Sequence, residues 1–256
     1  MDLTQEERTR YLKQIQLSQI GEAGQLLLKQ ASVLVVGAGG LGSPVLAYLA
    51  AAGVGRLAIV DPDRVSLSNL QRQVIHDTPS LGYLKVDSAA ERIHKVNPNI
   101  QVEKYPVFFN PVNAPDLVSG RSVVVDCTDN LDARLLINET CVTQGVPFVY
   151  GAVFEYEGQV SVFDARRGPC LRCMIPQLPA PQAIPDPGQH GLLGMLPGLI
   201  GVLQATEVIK LLLGLGDPLI GRLLVADLLT TRFMLVNLHK RAECPVCGRL
   251  NTGSQY

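Results

Sequence analysis

The sequence predicts an α/β fold, a mostly parallel sheet packed between helices and completed by antiparallel strands, on three observations. From residue 32 to 152, short β-branched apolar runs alternate with helix-like stretches, the order that gives parallel strands joined by crossover helices. The first run, VLVVGAGGLG at 33–42, breaks into glycines and resumes as GSPVLAYLAAAG, a strand-to-helix junction. After Tyr150 the alternation gives way to a hairpin-like FEYEGQVSVFD and to short β-like runs in the tail.

Taken in order, helical stretches over 4–16 and 21–30 precede strand 32–36, helix 42–52 and strand 56–61, which form one βαβ unit. A long polar loop follows. Helix 82–96 leads to strand 100–105, a short helix near 113–119, strand 121–126, helix 131–144 and strand 146–152. The hairpin comes next, then IPQLPAPQAIPDPGQ, too rich in proline for a helix or a central strand and read as a crossover loop over a site. GLLGMLPGLIGVLQATEVIKLLLGLG is interrupted by Pro197, Glu207 and Lys210, so it reads as a fully buried helix and not as a membrane span. Residues 219–238 read as β-like runs around a turn at Thr230. No linker or internal repeat divides the 256 residues, so one domain over 1–256 with a Rossmann-like sheet is expected.

Twenty-two lysines and arginines against 23 aspartates and glutamates leave a net charge of -1, which argues against a nucleic-acid surface or a polybasic membrane patch. The N-terminal MDLTQEERTRYLKQIQL is charged and amphipathic, unlike the apolar centre of a signal peptide, and points to a cytoplasmic protein.

Gly37, Gly39 and Gly42 match G-x-G-x-x-G, a turn whose backbone approaches a phosphate at a helix N-terminus, and Asp61 ends the next strand where a ribose hydroxyl would meet it. This fingerprint leaves NAD and ATP both open. The loop after Asp61, PDRVSLSNLQRQ, then gathers Asp63, Asn69, Arg72 and Gln73, with Lys85 further on, an acceptor, amides and two cations that suit a triphosphate better than a neutral nicotinamide ring. Strand 121–126 runs into DCTDN, putting Asp126, Asp129 and Asn130 at the carboxyl edge of the sheet, where a carboxylate can hold Mg2+ between phosphate oxygens. Two C-x-x-C pairs, Cys170 with Cys173 and Cys244 with Cys247, stand about 70 residues apart and predict a closed structural zinc site. A redox C-x-x-C explains one pair and not both. Cys127 and Cys141 need no disulfide partner.

GAGGLGSPVLAYLAAAGVGRLAIVDPDRVSLSNLQRQ, then LGYLKV, DCTDN, EGQVSVF and CLRC…CPVC resemble the ThiF/MoeB/HesA adenylyltransferases, which activate ubiquitin-like sulfur carrier proteins in the molybdopterin and thiamine pathways and are related to ubiquitin-activating enzymes. The resemblance spans nearly the whole chain, from RYLKQIQL to CPVC. It implies ATP in the glycine turn: Gly39 and Gly40 against the phosphates, Asp61 on the ribose, Asn69, Arg72 and Lys85 on the triphosphate, and Asp129 on magnesium. The implied reaction is attack by the carrier's C-terminal glycine carboxylate on the α-phosphorus, giving an acyl-adenylate and pyrophosphate. Cations and metal must offset the charge that accumulates, and no base is needed because a carboxylate is already ionised at neutral pH.

The chain departs from the family in two places. Where relatives carry a second arginine that reaches across a homodimer into the partner's ATP site, this chain has Lys13, which keeps the charge and loses the planar fork; Arg10 is a nearby candidate for the same duty. Where relatives read cysteine-x-glutamate-alanine-glycine ahead of GLLG, this chain reads Pro187-Gly188-Gln189-His190, so the sequence supports adenylation and not a covalent thioester step. With CPVCGRLNTGSQY as the last residues, no fused rhodanese-like domain is expected, and a separate sulfur donor is. The other readings are an adenylating enzyme of a specialised natural-product pathway, acting on a dedicated carrier or peptide; an NAD(P)-dependent oxidoreductase, which the polar loop and Lys85 count against; and a non-catalytic carrier-binding scaffold.

Overall fold

Every residue of β1 (Ser32–Val36) is buried, as an apolar run with no alternation requires of a central strand covered on both faces. The computed structural model describes residues 2–178 and 190–248. In it β1 pairs in parallel with β2 (Arg56–Val60) on one side and β4 (Val123–Asp126) on the other, Val33 lying opposite both Leu57 and Val123. β3 (Gln101–Tyr105) and β5 (Phe148–Phe154) extend the parallel sheet outward. β6 (Glu157–Phe163), β7 (Arg222–Asp227) and β8 (Arg232–Asn237) then add antiparallel, giving the eight-stranded order β3-β2-β1-β4-β5-β6-β7-β8.

The pleat sends alternate side chains to opposite faces and so divides the core in two. Val33, Val35, Leu57 and Ile59 pack with Leu28 of α3 (Gly21–Gln30), Leu46 and Leu49 of α4 (Gly42–Ala52), Ile93 of α5 (Lys85–Val96) and Ile200 of α9 (Met195–Leu213). Leu34, Val36, Val124 and Phe148 pack on the other face with Leu117 of α6 (Ala114–Val118), Ile137 of α7 (Leu131–Gln144) and Leu171 of α8 (Leu171–Met174). Truncating any one of these fully buried leucines or isoleucines to alanine would cost about 2–5 kcal/mol. The crossovers leaving β1 and β4 lie on opposite faces, so the chain parts at the carboxyl ends of those two strands and leaves a crevice there, where open α/β sheets place ligands.

The structure departs from the sequence reading at a few boundaries. The expected helix 4–16 breaks at buried Tyr11 (φ -99°, ψ 11°), which accepts a hydrogen bond from Asn97 Nδ2 at 2.8 Å and separates α1 (Gln5–Arg10) from α2 (Leu12–Ile15). Helix 82–96 starts only at Lys85, because Gly82 has φ +82°, outside helical space. The apolar stretch near 192–216 is not fully buried: α9 covers the sheet with one face and leaves the other half-buried. Pro197 lies in its first turn, where no intrahelical donor is lost, and Lys210 pairs with Glu207 at 2.6 Å. By length and composition α9 could cross a membrane, but its buried face packs on α4 and the sheet. The hairpin turns at Glu155, whose φ is +48°. Most of the proline-rich segment, 179–189, lies outside the described residues.

Candidate active site and metal centre

Backbone approach decides which glycines the turn needs. Gly37 has φ +102°, and a Cβ there would stand 2.5 Å from the Cys127 carbonyl oxygen; a Cβ on Gly42 would overlap the Gly37 carbonyl. These two shape the turn, while Gly39 and Gly40 form the wall of a cavity of about 1080 Å3 at the carboxyl ends of β1 and β4. The Ala38 N–H donates to Asp61 Oδ2 at 2.7 Å, and the Asp63 N–H donates to Asp61 Oδ1 at 2.8 Å, so each carboxylate oxygen is fixed by a backbone group. Lys85 opens α5 and places Nζ 2.8 Å from Asp63 Oδ2 and 4.0 Å from Asp61 Oδ2, with its side chain 8% exposed. Arg72 donates to the Ser68 carbonyl at 3.0 Å and lines the same cavity. Gln73 also lines it; the side chain is buried and its Oε1 has no hydrogen-bond partner among the described residues.

The opposite wall follows β4. Asp126 is fully buried and accepts from the Thr128 N–H at 3.0 Å and the Thr128 hydroxyl at 2.7 Å, which makes it a brace for the loop and not an open ligand. Burial pushes its pKa up, against the pull of Arg134, whose Nε lies 3.7 Å away. Asp129 is exposed to the cavity. Asn130 lines it too, but its Oδ1 accepts from the Ala133 N–H at 2.9 Å and caps α7.

Of the remaining sequence candidates, Lys13, Arg10 and Asn69 stand outside the cavity walls. Lys13 is exposed on α2, with Nζ 3.5 Å from Gln16 Oε1. Arg10 donates to the Val96 carbonyl at 3.0 Å and pairs with Glu6. The Asn69 Oδ1 accepts from the Ser66 N–H at 3.4 Å inside a 3-10 turn. Pro187, Gly188 and Gln189 fall outside the described residues; His190 sits at the cavity edge, Nδ1 3.3 Å from Glu155 Oε1 and its ring 5.0 Å from that of Phe154. Sequence reasoning missed Phe108 and Arg134. Arg134 lines the cavity, lies over the Tyr150 ring at 5.3 Å and donates to the Thr128 carbonyl at 2.8 Å. Its place four residues after Asn130, one helical turn along the same face, was the signal available.

The four thiols of Cys170, Cys173, Cys244 and Cys247 are buried and lie within 4.8 Å of one another, Cys170 to Cys244 at 3.5 Å and Cys173 to Cys247 at 3.4 Å. Sulfurs held tetrahedrally at the zinc–thiolate distance stand about 3.8 Å apart, so the donor set fits a closed four-thiolate site. Burial, with the neighbouring Cys173 sulfur, pushes the Cys170 thiol up to about 11; a shared cation is what would let the four thiols of the cluster ionise together. The cluster ties α8, just past β6, to the segment after β8.

The chain belongs to the ThiF family, whose model matches residues 11–246. It is 46% identical to the sulfur carrier protein adenylyltransferase of Thermus thermophilus, over 97% of this chain and 93% of that protein. It is 44% identical to the SAMP-activating enzyme E1 of Haloferax volcanii, over 97% and 91%. Against the adenylyltransferase and sulfurtransferase MOCS3 of Sus scrofa it is 43% identical over 98% of its own length but spans only 55% of that protein. Among solved structures, E. coli MccB superposes with a TM-score of 0.84 over 94% of this chain and 74% of that one, at 21% identity, a likeness of fold.

Proposed function

We propose that this chain uses ATP and Mg2+ to adenylate the C-terminal glycine carboxylate of a small ubiquitin-like sulfur carrier ending in Gly-Gly. The observation that carries this reading is one cavity in which the glycine turn, Lys85, Arg72 and Asp129 converge, in a chain nearly half identical to a named sulfur carrier protein adenylyltransferase. The carrier's carboxylate oxygen forms a bond to the α-phosphorus, the bond from that phosphorus to the β-bridging oxygen breaks, and pyrophosphate leaves with the electron pair. Gly39 and Gly40 cradle the phosphates, Asp61 takes the ribose, Arg72 and Lys85 neutralise the charge that builds at phosphorus, and Gln73 and Asn69 donate hydrogen bonds to the phosphate oxygens. Asp63 shares Lys85 and holds its ammonium in place. Asp129 would hold Mg2+, which supplies further charge neutralisation on the phosphate oxygens.

The four cysteines hold one structural Zn2+. Cys127 and Cys141 are buried and the other four thiols are gathered in the cluster, which supports sulfur arriving from a separate donor. The chain works in the cytoplasm as one adenylyltransferase unit over 1–256 within a homodimer, where Lys13 serves the partner's site. Mass spectrometry of the carrier after incubation with ATP and this protein tests the reading: an acyl-adenylate at the terminal glycine is expected, and an unmodified carrier with no ATP consumed contradicts it.

A further inference from the structure

Beneath the glycine turn lies a buried polar pair that the proposed reaction does not use. The imidazole of His76, 6% exposed, has Nε2 2.9 Å from the Ala38 carbonyl oxygen and Nδ1 2.9 Å from the Ser88 hydroxyl, itself buried on α5. A carbonyl only accepts, so Nε2 carries the proton. Burial holds the His76 pKa below its ordinary value, and the nearby Lys85 ammonium acts in the same direction; the neutral ring then accepts from the Ser88 O–H through Nδ1. The result is a chain of two hydrogen bonds running from α5 to the turn.

Its effect follows from peptide geometry. In a trans peptide the C=O and the N–H point in opposite directions, and no cis bond occurs among the described residues. With the Ala38 carbonyl held down toward His76, the N–H of the same peptide unit, that of Gly39, is turned away from the core and toward the cavity that Gly39 lines. The Gly39 N–H has no hydrogen-bond acceptor among the described residues. The peptide before it is held as well, because the Ala38 N–H is bound to Asp61. Ser88 lies three residues after Lys85, so one face of α5 carries the ammonium in the cavity wall and anchors the support of the turn.

We infer that His76 is a positioning residue for the nucleotide: as the neutral Nε2–H tautomer it clamps the Ala38 carbonyl and thereby aims the Gly39 N–H at a phosphate oxygen. This rests on the proposed ATP-dependent reading. His76 is not in the cavity wall and touches no reacting atom; it acts through the turn.

The test combines long-range 15N–1H spectra of the histidine rings with calorimetric ATP titration of the intact protein and of His76→Leu, His76→Gln and Ser88→Ala. The wild-type ring should show the neutral Nε2–H pattern at pH 7.5. His76→Leu should weaken ATP binding about tenfold, since one hydrogen bond is worth up to about that factor, and should raise the KM for ATP while leaving the KM for the carrier unchanged. His76→Gln, which keeps an N–H donor, should recover most of the affinity, and Ser88→Ala should fall between. An Nδ1–H tautomer in the wild type overturns the inference. So does a folded His76→Leu, or a His76→Gln if the leucine variant does not fold, whose ATP affinity departs from this order by matching wild type or by failing to be rescued, respectively. Wild-type protein that binds no ATP at all refutes the adenylation reading first and the inference with it, so the two failures are told apart by the wild-type titration.

Discussion

At the four-cysteine cluster each buried thiol faces another within 4.8 Å, and the group closes on itself with no direction left open. At the cavity one buried polar atom stays open: Gln73 Oε1, in its wall, has no hydrogen-bond partner among the described residues, whereas Asp126 Oδ2 and Arg134 Nε face each other as an ion pair at 3.7 Å. An unmatched buried polar atom costs about 1–3 kcal/mol, and at Gln73 a ligand in the cavity would supply the missing partner. The difference teaches how to tell a permanent structural site from an exchangeable one: the first satisfies itself with groups of one kind, the second arrays groups of several kinds around a space.

If the contrast is right, breaking each region should register in a different observable. The largest effect is expected at the cysteines. Cys170→Ser or Cys247→Ser should lose the metal and several kcal/mol of stability, because structural zinc sites supply on the order of 10 kcal/mol of folding free energy. Metal analysis of protein purified without added zinc should find one zinc per chain; a content near zero, with all four thiols titrating freely in the native protein, removes the assignment.

At the cavity the damage should fall on rate and spare the fold. Asp129→Ala and Arg72→Ala should each lower ATP–pyrophosphate exchange by about 100- to 1000-fold, the scale of one well-placed electrostatic contact, with melting temperatures close to wild type. Undiminished exchange in both would dismiss the site assignment. Cys127 and Cys141 sharpen the contrast from a third direction. Burial drives both thiols well above the ordinary range, so neither is a nucleophile at neutral pH. The double alanine variant should keep carrier-dependent exchange and lose on the order of 1 kcal/mol of stability to small cavities. A thiol-sensitive conjugate with the carrier that vanishes in either single variant would show that the covalent step has moved into this core.

The smallest expected effect is a pH slope. In the folded state the His76 pKa lies below 6.5, so as pH falls through about 6.5 the unfolded chain takes up a proton that the native ring resists, and stability falls with it. His76→Gln should flatten the decline in melting temperature between about pH 7 and pH 5. An identical slope in both proteins would assign it to other groups.

The strands of the parallel sheet were legible because buried strands are written as unbroken β-branched runs, and the turn because Gly37 and Gly42 admit no side chain. The cysteine cluster was legible because C-x-x-C pairs carry their geometry in their spacing. The helix break at Tyr11 was not: it depends on Asn97, 86 residues away, and no local pattern encodes that bond. For the same reason His76, in QRQVIHDT, gave no sign of its contact with Ala38, nor Phe108 of its place in the cavity wall. Asp126 and Asp129 look alike in DCTDN, yet one braces the loop from inside the core and the other faces the cavity. Asp126 is the last residue of β4 and buried, while Asp129 stands three residues on in the loop before α7, and which of two nearby carboxylates turns inward is set by packing that the local sequence does not encode.

The central claim is that the cavity activates a carboxylate with ATP. ATP–pyrophosphate exchange, measured with a ubiquitin-like carrier ending in Gly-Gly and with the same carrier lacking its terminal glycine, tests it directly. Exchange that requires ATP, Mg2+ and the intact C-terminus is the expected result, whereas tight NAD binding without ATP binding, or exchange indifferent to the carrier's last residue, would contradict it.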